Sequence, residues 1–305
     1  MPNSTSPIPS GLISGVSSFL RQSKIFPSAS VALAVLKKNS LAGRIIIGTG
    51  LSLIVAGAVL FGSRLLLLFL VCAWIALATF EFLNLLRRAE INLNPWLVIP
   101  LNLLILLSAH LNLLPGFLIA PVAVIFIAAL ARQPALPRIP VYGLFTIIYL
   151  GFLPSHLILM RQLSHTRQFS PFLVLFPLVL TWVSDTAAYA LGKILGRHKL
   201  APHLSPNKTL EGFIAGLCSA GILTALWLPV LHPFTAEPRW WLAFVGIGLS
   251  ALGQAGDLFE SLFKRAVNLK DSSETLGAHG GFLDRIDSLL FTIPAFYYLT
   301  ILMAR

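Results

Sequence analysis

The chain has 305 residues, of which 56% are hydrophobic and 11% charged. No soluble domain of this size is built that way, so a water-soluble enzyme or binding module is excluded. The net charge of +11 would raise the question of nucleic acid in a soluble protein. Here the basic residues lie between apolar runs, where membrane topology accounts for them, and no nucleic-acid partner is implied.

Residues 1–43 read as a separate basic arm. It holds ten serines in the first 40 residues and no acid before Glu81. It has no proper signal-peptide core, so it reads as a disordered or surface-lying segment, with a plastid transit peptide as the alternative. Apolar runs near 20 residues follow, each long enough to cross a hydrocarbon core of ~30 Å. Nine candidate spans are counted, at 45–62, 65–85, 96–112, 114–131, 141–160, 171–192, 212–231, 239–258 and 287–303. The third and fourth are short and share Pro115-Gly116 as their turn, which leaves a re-entrant hairpin open there. Pro294 would kink the last helix unless neighbours satisfy the freed carbonyl. The fold class is therefore all-α, a polytopic integral membrane protein with about nine transmembrane helices. Cys72 and Cys218 fall within spans, lack metal-ligand spacing, and read as small packing residues.

Basic residues set the orientation. With the N-terminus cytoplasmic, 17 of the 22 fall on the inside, and only Arg64, Arg161, Arg167, Arg239 and Arg305 on the outside. Eight of the eleven acids then also lie on the inside, in the segments 185–211 and 257–287. An ionised carboxylate at the centre of a membrane helix costs about 2.5–3.5 kcal/mol even on the lenient insertion scale. Two such clusters, mixed with bases and glycines, predict a polar cavity that opens to the cytoplasm. Glu81, Glu90 and Glu237 stand alone in the sequence.

The second cluster starts on the eighth span. At helical spacing Asp257, Ser261 and Lys264 share a stripe, with Glu260 beside it. A carboxylate, a hydroxyl and an ammonium in a row suit a metal ion and a phosphate held side by side. For Glu260 a solvated i,i+4 pair with Lys264 is an adequate account. Gly280-Gly281 has no side chains to keep a phosphate from the backbone N–H groups. His279 beside it titrates near neutral pH. Asp284 and Asp287, three apart with Arg285 between, offer hard oxygens that suit Mg²⁺ better than zinc. In the first cluster Asp185 lies well inside the sixth span. Ala188, Gly192 and Gly196, each four apart, read as a close-packing stripe. "SPNKTLEG" reads as a helix start, with Ser205 as N-cap and Pro206 in the first turn. Lys208 in that turn would oppose the helix dipole unless it helps to bind an anion there. Glu211, three residues on, would orient Lys208. Neither a Walker A loop nor a GxGxxG is present.

At these residues the chain resembles the phosphatidate cytidylyltransferases. Their signature runs S-x-hydrophobic-K-R-x4-K-D, then H-G-G-hydrophobic-x-D-R-hydrophobic-D. Its fixed positions are met by Ser261, Lys264, Arg265, Lys270, Asp271, His279, Gly280, Gly281, Asp284, Arg285 and Asp287. "DTAAYALGKILGRHKLAPHLSPNKTLEG" is similar to the family's upstream segment, so the likeness is dense over 181–291. The departures are Gly277-Ala278 for Pro-Gly, Ala215-Gly216 for Gly-Gly and Lys193 for Arg.

The resemblance implies CMP transfer from CTP to phosphatidate, giving CDP-diacylglycerol and pyrophosphate, with Mg²⁺ and room for a second metal ion. Together with composition and hydropathy it divides the chain into the arm at 1–43, transmembrane helices over 44–170 and a catalytic transmembrane domain over 171–305. It implies metal at Asp257 and Asp284, with Asp287 assisting or orienting Arg285. Phosphate contacts fall to Lys264, Arg285, Lys208, Ser205, Ser261, Arg265 and Lys270. His279, Gly280 and Gly281 would shape the nucleotide loop, and Asp185 would line the cavity. The expected setting is a bacterial inner membrane with a cytoplasmic site, or else a plastid membrane, and a homodimer rests on the resemblance alone. Two other readings are open. A CTP-dependent polyprenol or phytol kinase would transfer the γ-phosphate instead. An ion-coupled transporter would spread its acids through the midplane rather than gather them on one side.

Overall fold

Inside a hydrocarbon layer every backbone N–H and C=O must be paired within its own segment, which favours helices. The computed structural model describes residues 50, 53–113, 118–130, 138–166, 169–231, 233–273 and 280–304. The basic arm, the Pro115-Gly116 turn and His279 lie outside the described residues. Residues 53–61 are helical. The helices that follow are α1 (Arg64–Arg88), α2 (Pro95–His110), α3 (Ile119–Leu130), α4 (Arg138–Ile147), α5 (Leu153–Thr166), α6 (Pro171–Leu195), α7 (Leu210–Trp227), α8 (Arg239–Ala266) and α9 (Leu289–Met303). A π-helical turn, Ile148–Phe152, joins α4 to α5 in one rod.

Among the described residues, five stretches are long and apolar enough to cross a membrane: Arg64–Arg88, Arg138–Ser164, Pro171–Leu195, Leu210–Val230 and Arg239–Ala266. Three apolar helices are shorter. The 16 residues of α2 rise only ~24 Å. The protein is thus an all-α polytopic membrane protein, and the count of nine crossings stays an expectation. The last helix begins at Leu289, two residues later than predicted, so Asp287 stands outside it.

Starts are set by caps. Ser63 accepts from Leu66 N at 3.1 Å, and Asn94 accepts from Trp96 N at 3.0 Å ahead of Pro95. The predicted helix start at Ser205 is corrected. Ser205–Thr209 is a strand, β2, paired antiparallel with β1 (Lys199–Ala201). The cap is Thr209, whose hydroxyl accepts from Gly212 N at 3.2 Å. Lys208 therefore sits on a strand and not in a helical first turn. The hairpin is held by Glu211, which accepts from Arg197 N at 3.1 Å and pairs with His198 Nδ1 at 2.7 Å. The expectation that Glu211 orients Lys208 is corrected: Glu211 orients the hairpin instead.

Packing brings the elements of the site together. α7 lies against both α6 and α8, and α9 lies against α5 and α8. The small-residue stripe does pack closely. A Cβ on Gly212 would come within 2.6 Å of Ala188 O and 3.0 Å of Gly192 Cα. Beneath the polar end, Phe82, Phe145, Tyr149, Phe259, Phe263 and Phe291 form one aromatic cluster. Its ring centroids lie 5.1 Å apart for Phe82–Phe263 and for Phe145–Tyr149. Such pairs contribute about 0.5–1.5 kcal/mol each beyond their buried area. They tie α1, α4, α8 and α9 into one floor.

Candidate active site

α8 is apolar for most of its length and ends in the polar string Asp257–Arg265. Helical spacing puts Glu260 and Lys264 on its inner face, and both are buried, at 0% and 7% exposure. The expected solvated pair is therefore corrected to a buried one. Lys264 Nζ donates to Glu260 Oε2 at 3.0 Å and to Asp284 Oδ1 at 2.7 Å. Two carboxylates on one ammonium offset part of the cost of taking the charges out of water.

Asp284 is the hub of the following loop. Its carboxylate also accepts from Gly281 N at 2.7 Å, Ser272 N at 3.0 Å and Ser272 Oγ at 2.9 Å. Burial alone would raise this carboxyl. The Lys264 ammonium and the N–H groups of Gly281 and Ser272 hold it below the ordinary aspartate range. Gly280 has φ +76°, a backbone state that side chains disfavour, and a Cβ there would meet Asp284 Oδ2 at 2.7 Å. At Gly281 a Cβ would overlap Ser272 Oγ and Glu81 Oε2. The glycine pair is thus explained by the loop's closure on its own carboxylates.

On the other side of the site, Lys208 reaches across from β2 to Asp257 Oδ2 at 2.7 Å. Both side chains are partly open, at 25% and 33% exposure. Asp185 lies on the open face of α6 and interacts electrostatically with Asp257, Lys208 and Arg285. Asp287 is buried and accepts from Ser288 N at 2.6 Å. Burial pushes its carboxyl well above the ordinary range, and the charges of Asp257, Glu260 and Asp185 push the same way. Arg265 donates through Nε to Leu204 O at 2.8 Å and through Nη1 to Leu269 O at 2.9 Å, bracketing the hairpin to the loop. Ser261 is buried on α8, while Lys270 and Arg285 are exposed. Ser205 is half-buried at the start of β2.

The acids Asp185, Asp257, Glu260 and Asp287 share one electrostatic field. Among the described residues no three His, Cys, Asp or Glu side chains form a ready cage for an ion. Mg²⁺ needs no such cage, because it commonly binds through one or two carboxylates plus substrate phosphates. Glu260 and Asp287 face each other carboxyl to carboxyl, and the buried Tyr149 Oη nearby has no hydrogen-bond partner among the described residues. Hard oxygen donors and the mutual repulsion of neighbouring carboxylates fit a divalent cation.

Residues 42–303 match the Cytidylyltransferase family. The chain belongs to this family. It is 42% identical over 154 residues to the phosphatidate cytidylyltransferase of Staphylococcus saprophyticus, covering 50% of this chain and 56% of that one. The Bacillus subtilis phosphatidate cytidylyltransferase is 40% identical over 160 residues, covering 52% and 56%. The Staphylococcus aureus protein of the same name is 47% identical over 122 residues, covering 40% and 46%. The chain spans about half the length of the curated relatives it matches.

Of the residues singled out in the sequence, Lys208, Asp257, Lys264 and Asp284 meet in direct pairs, and Asp185, Arg285 and Asp287 join them electrostatically. Sequence reasoning missed Glu81, Trp74, Tyr149 and Ser272. Glu81 Oε2 accepts from Leu283 N at 2.9 Å, and Trp74 Nε1 donates to Phe282 O at 3.0 Å. The available signal was a lone carboxylate inside an apolar run, which membrane energetics marks as unusual.

Proposed function

We propose that this chain transfers CMP from CTP to phosphatidate, forming CDP-diacylglycerol and releasing pyrophosphate. The observation that carries this reading is the gathering of two lysine–aspartate pairs, Lys208–Asp257 and Lys264–Asp284, drawn from three separate segments, β2, the end of α8 and the loop before α9. Their elements adjoin the exposed Arg285 and Lys270. Such a centre suits two polyanionic phosphates brought together at a membrane surface, where one substrate is soluble and the other a lipid. The names of the relatives support the same reaction.

In this mechanism a phosphatidate phosphate oxygen attacks the α-phosphorus of CTP. The bond from that phosphorus to the bridging oxygen of the β-phosphate breaks, and pyrophosphate leaves with the electron pair. The phosphate nucleophile is already anionic at neutral pH, so no strong base is required. Lys208 and Arg285 would neutralise the triphosphate, while Lys264 and the Gly281 loop hold Asp284 in place. Asp257, Asp284 and Asp287 would hold Mg²⁺, with Glu260 nearby and room for a second cation. The bound cation supplies charge neutralisation at the phosphates and at the leaving group. The basic residues favour a cytoplasmic N-terminus and site in a bacterial inner membrane. A homodimer is part of the same proposal.

The test is transfer of label from α-labelled CTP into lipid, with phosphatidate and Mg²⁺ in liposomes. Label is expected in the lipid extract of wild type and is lost in Asp284→Ala. Transfer from γ-labelled CTP to a polyprenol, with none from the α-label, would sink this reading in favour of a kinase.

A further inference from the structure

Glu81 is isolated in the sequence but buried in the fold, at 5% exposure, where α1 meets the loop that carries Asp284. Its Oε2 accepts from Leu283 N at 2.9 Å and from Ser272 Oγ at 3.1 Å, and its Oε1 accepts from Ser273 Oγ. Two turns earlier, on the same face of α1, Trp74 Nε1 donates to Phe282 O. The Trp74 and Phe282 rings meet edge to face at 5.3 Å. One helix from the N-terminal half thus grips both arms of the loop, at 272–273 and at 282–283. The Ser272 hydroxyl lies 2.9 Å from Asp284 Oδ2 as well. A hydroxyl has one proton to give, so Ser272 Oγ donates to one carboxylate at a time, and Ser272 links the two by giving its hydroxyl to Glu81 while its backbone N–H stays on Asp284 at 3.0 Å. A continuous chain runs from Glu81 through Ser272 and Asp284 to Lys264.

A carboxyl group is expensive to bury, and apolar packing alone would serve as well with an apolar side chain. What an apolar residue cannot do is receive one backbone N–H and two hydroxyls from opposite arms of a loop. We propose that Glu81 is a positioning residue for the transfer centre. It sets the placement of Leu283 and Ser272, and so the aim of Asp284 at Lys264, without touching substrate itself. The inference rests on the transferase reading for its catalytic consequence, but its structural half stands apart from it.

The experiment uses the full chain in lipid nanodiscs as wild type, Glu81→Ala, Glu81→Gln, Ser272→Ala and the Glu81→Ala/Ser272→Ala double variant. Backbone hydrogen exchange is followed over 280–288 and over α7, and kcat and KM are measured with CTP and phosphatidate. Glu81→Ala is expected to speed exchange at 280–285 at least ~10-fold while α7 is unchanged, because opening there becomes local. Its kcat is expected to fall about 100-fold, as small misplacements do, with KM for CTP within about threefold. Glu81→Gln keeps an oxygen for Leu283 N and recovers most of kcat. The double variant is no slower than the slower single one, because the two act in series. Unchanged exchange at 280–285 in Glu81→Ala, or exchange accelerated throughout the chain, overturns the proposal. So does an unchanged kcat per folded molecule, or strictly additive losses. Should Glu81→Ala not fold, Glu81→Gln and Ser272→Ala carry the same readouts. Should wild type transfer no CMP, the functional reading fails, and the exchange comparison still decides whether Glu81 holds the loop.

Discussion

Lys208 and Lys264 make the same kind of bond in different surroundings, and the difference predicts different losses. The Lys208–Asp257 pair is partly open, at 25% and 33% exposure, whereas Lys264 and Asp284 are at 9% and 7%. An exposed pair contributes about 0–1 kcal/mol, but removing one partner of a buried pair costs about 3–5 kcal/mol. Lys208→Ala is therefore expected to keep its melting temperature in detergent within a few degrees while losing at least ~100-fold in CMP transfer. Lys264→Ala strands both Glu260 and Asp284 and is expected to lose activity and stability together, read by melting and by expression level. The glycines separate similarly. Gly281→Ala must displace Ser272 and Glu81, whereas Gly280→Ala faces a strained φ of about 1–2 kcal/mol and a contact with one carboxylate oxygen. The first is expected to be the more damaging in the transfer assay.

At the level of elements, the site depends on how closely α6 and α7 approach. β2 leads directly into α7, so the depth of the Gly192–Gly212 crossing sets how far Lys208 reaches toward Asp257. Gly212→Ala puts a methyl 2.6 Å from Ala188 O and must push the helices apart. Its expected outcome is a lowered melting temperature in detergent, together with weaker transfer. Gly248→Ala, which meets nothing within 4 Å, is the control and is expected to hold or gain about 0.5–1 kcal/mol from helix propensity. The β1–β2 hairpin was hidden by its own composition. Ser205-Pro206 offers the cap residue and first-turn proline of a helix start, yet Thr209 captures Gly212 N and takes over the cap. Local rules rank candidate caps, and the pairing of Lys199 with Thr209 chose between them.

Across the whole molecule, the basic residues make a prediction about sidedness. If the N-terminus and site face the cytoplasm, a cysteine at His203 is shielded in right-side-out vesicles, and one at Thr235 reacts with an impermeant maleimide. Cys72 and Cys218 are replaced first, so that each variant carries a single thiol. The reverse labelling pattern would overturn the orientation without touching the reaction. Both test positions are exposed, so labelling reads the membrane side rather than burial.

That this is a helical membrane protein was legible in the amino-acid order alone, because apolar runs near 20 residues have few other stable forms. It also pointed to charged residues that the fold brings together in the candidate site, because charge is too costly in that setting to be scattered. Lys208, Asp257, Lys264 and Asp284 were all legible for that reason. The tertiary structure decided the partners. That Lys208 pairs with Asp257 follows from β2 and α7 packing against α8, and that Lys264 pairs with Asp284 follows from the loop before α9 folding back onto α8; neither follows from spacing along the chain. Glu260 passed for a surface residue because helical periodicity shows which residues share a face, but not what the face meets. Glu81 was missed for a related reason. Its partners Ser272, Ser273 and Leu283 lie 191, 192 and 202 residues away. A contact at that separation leaves no local trace, and only the packing of α1 against the loop brings it about.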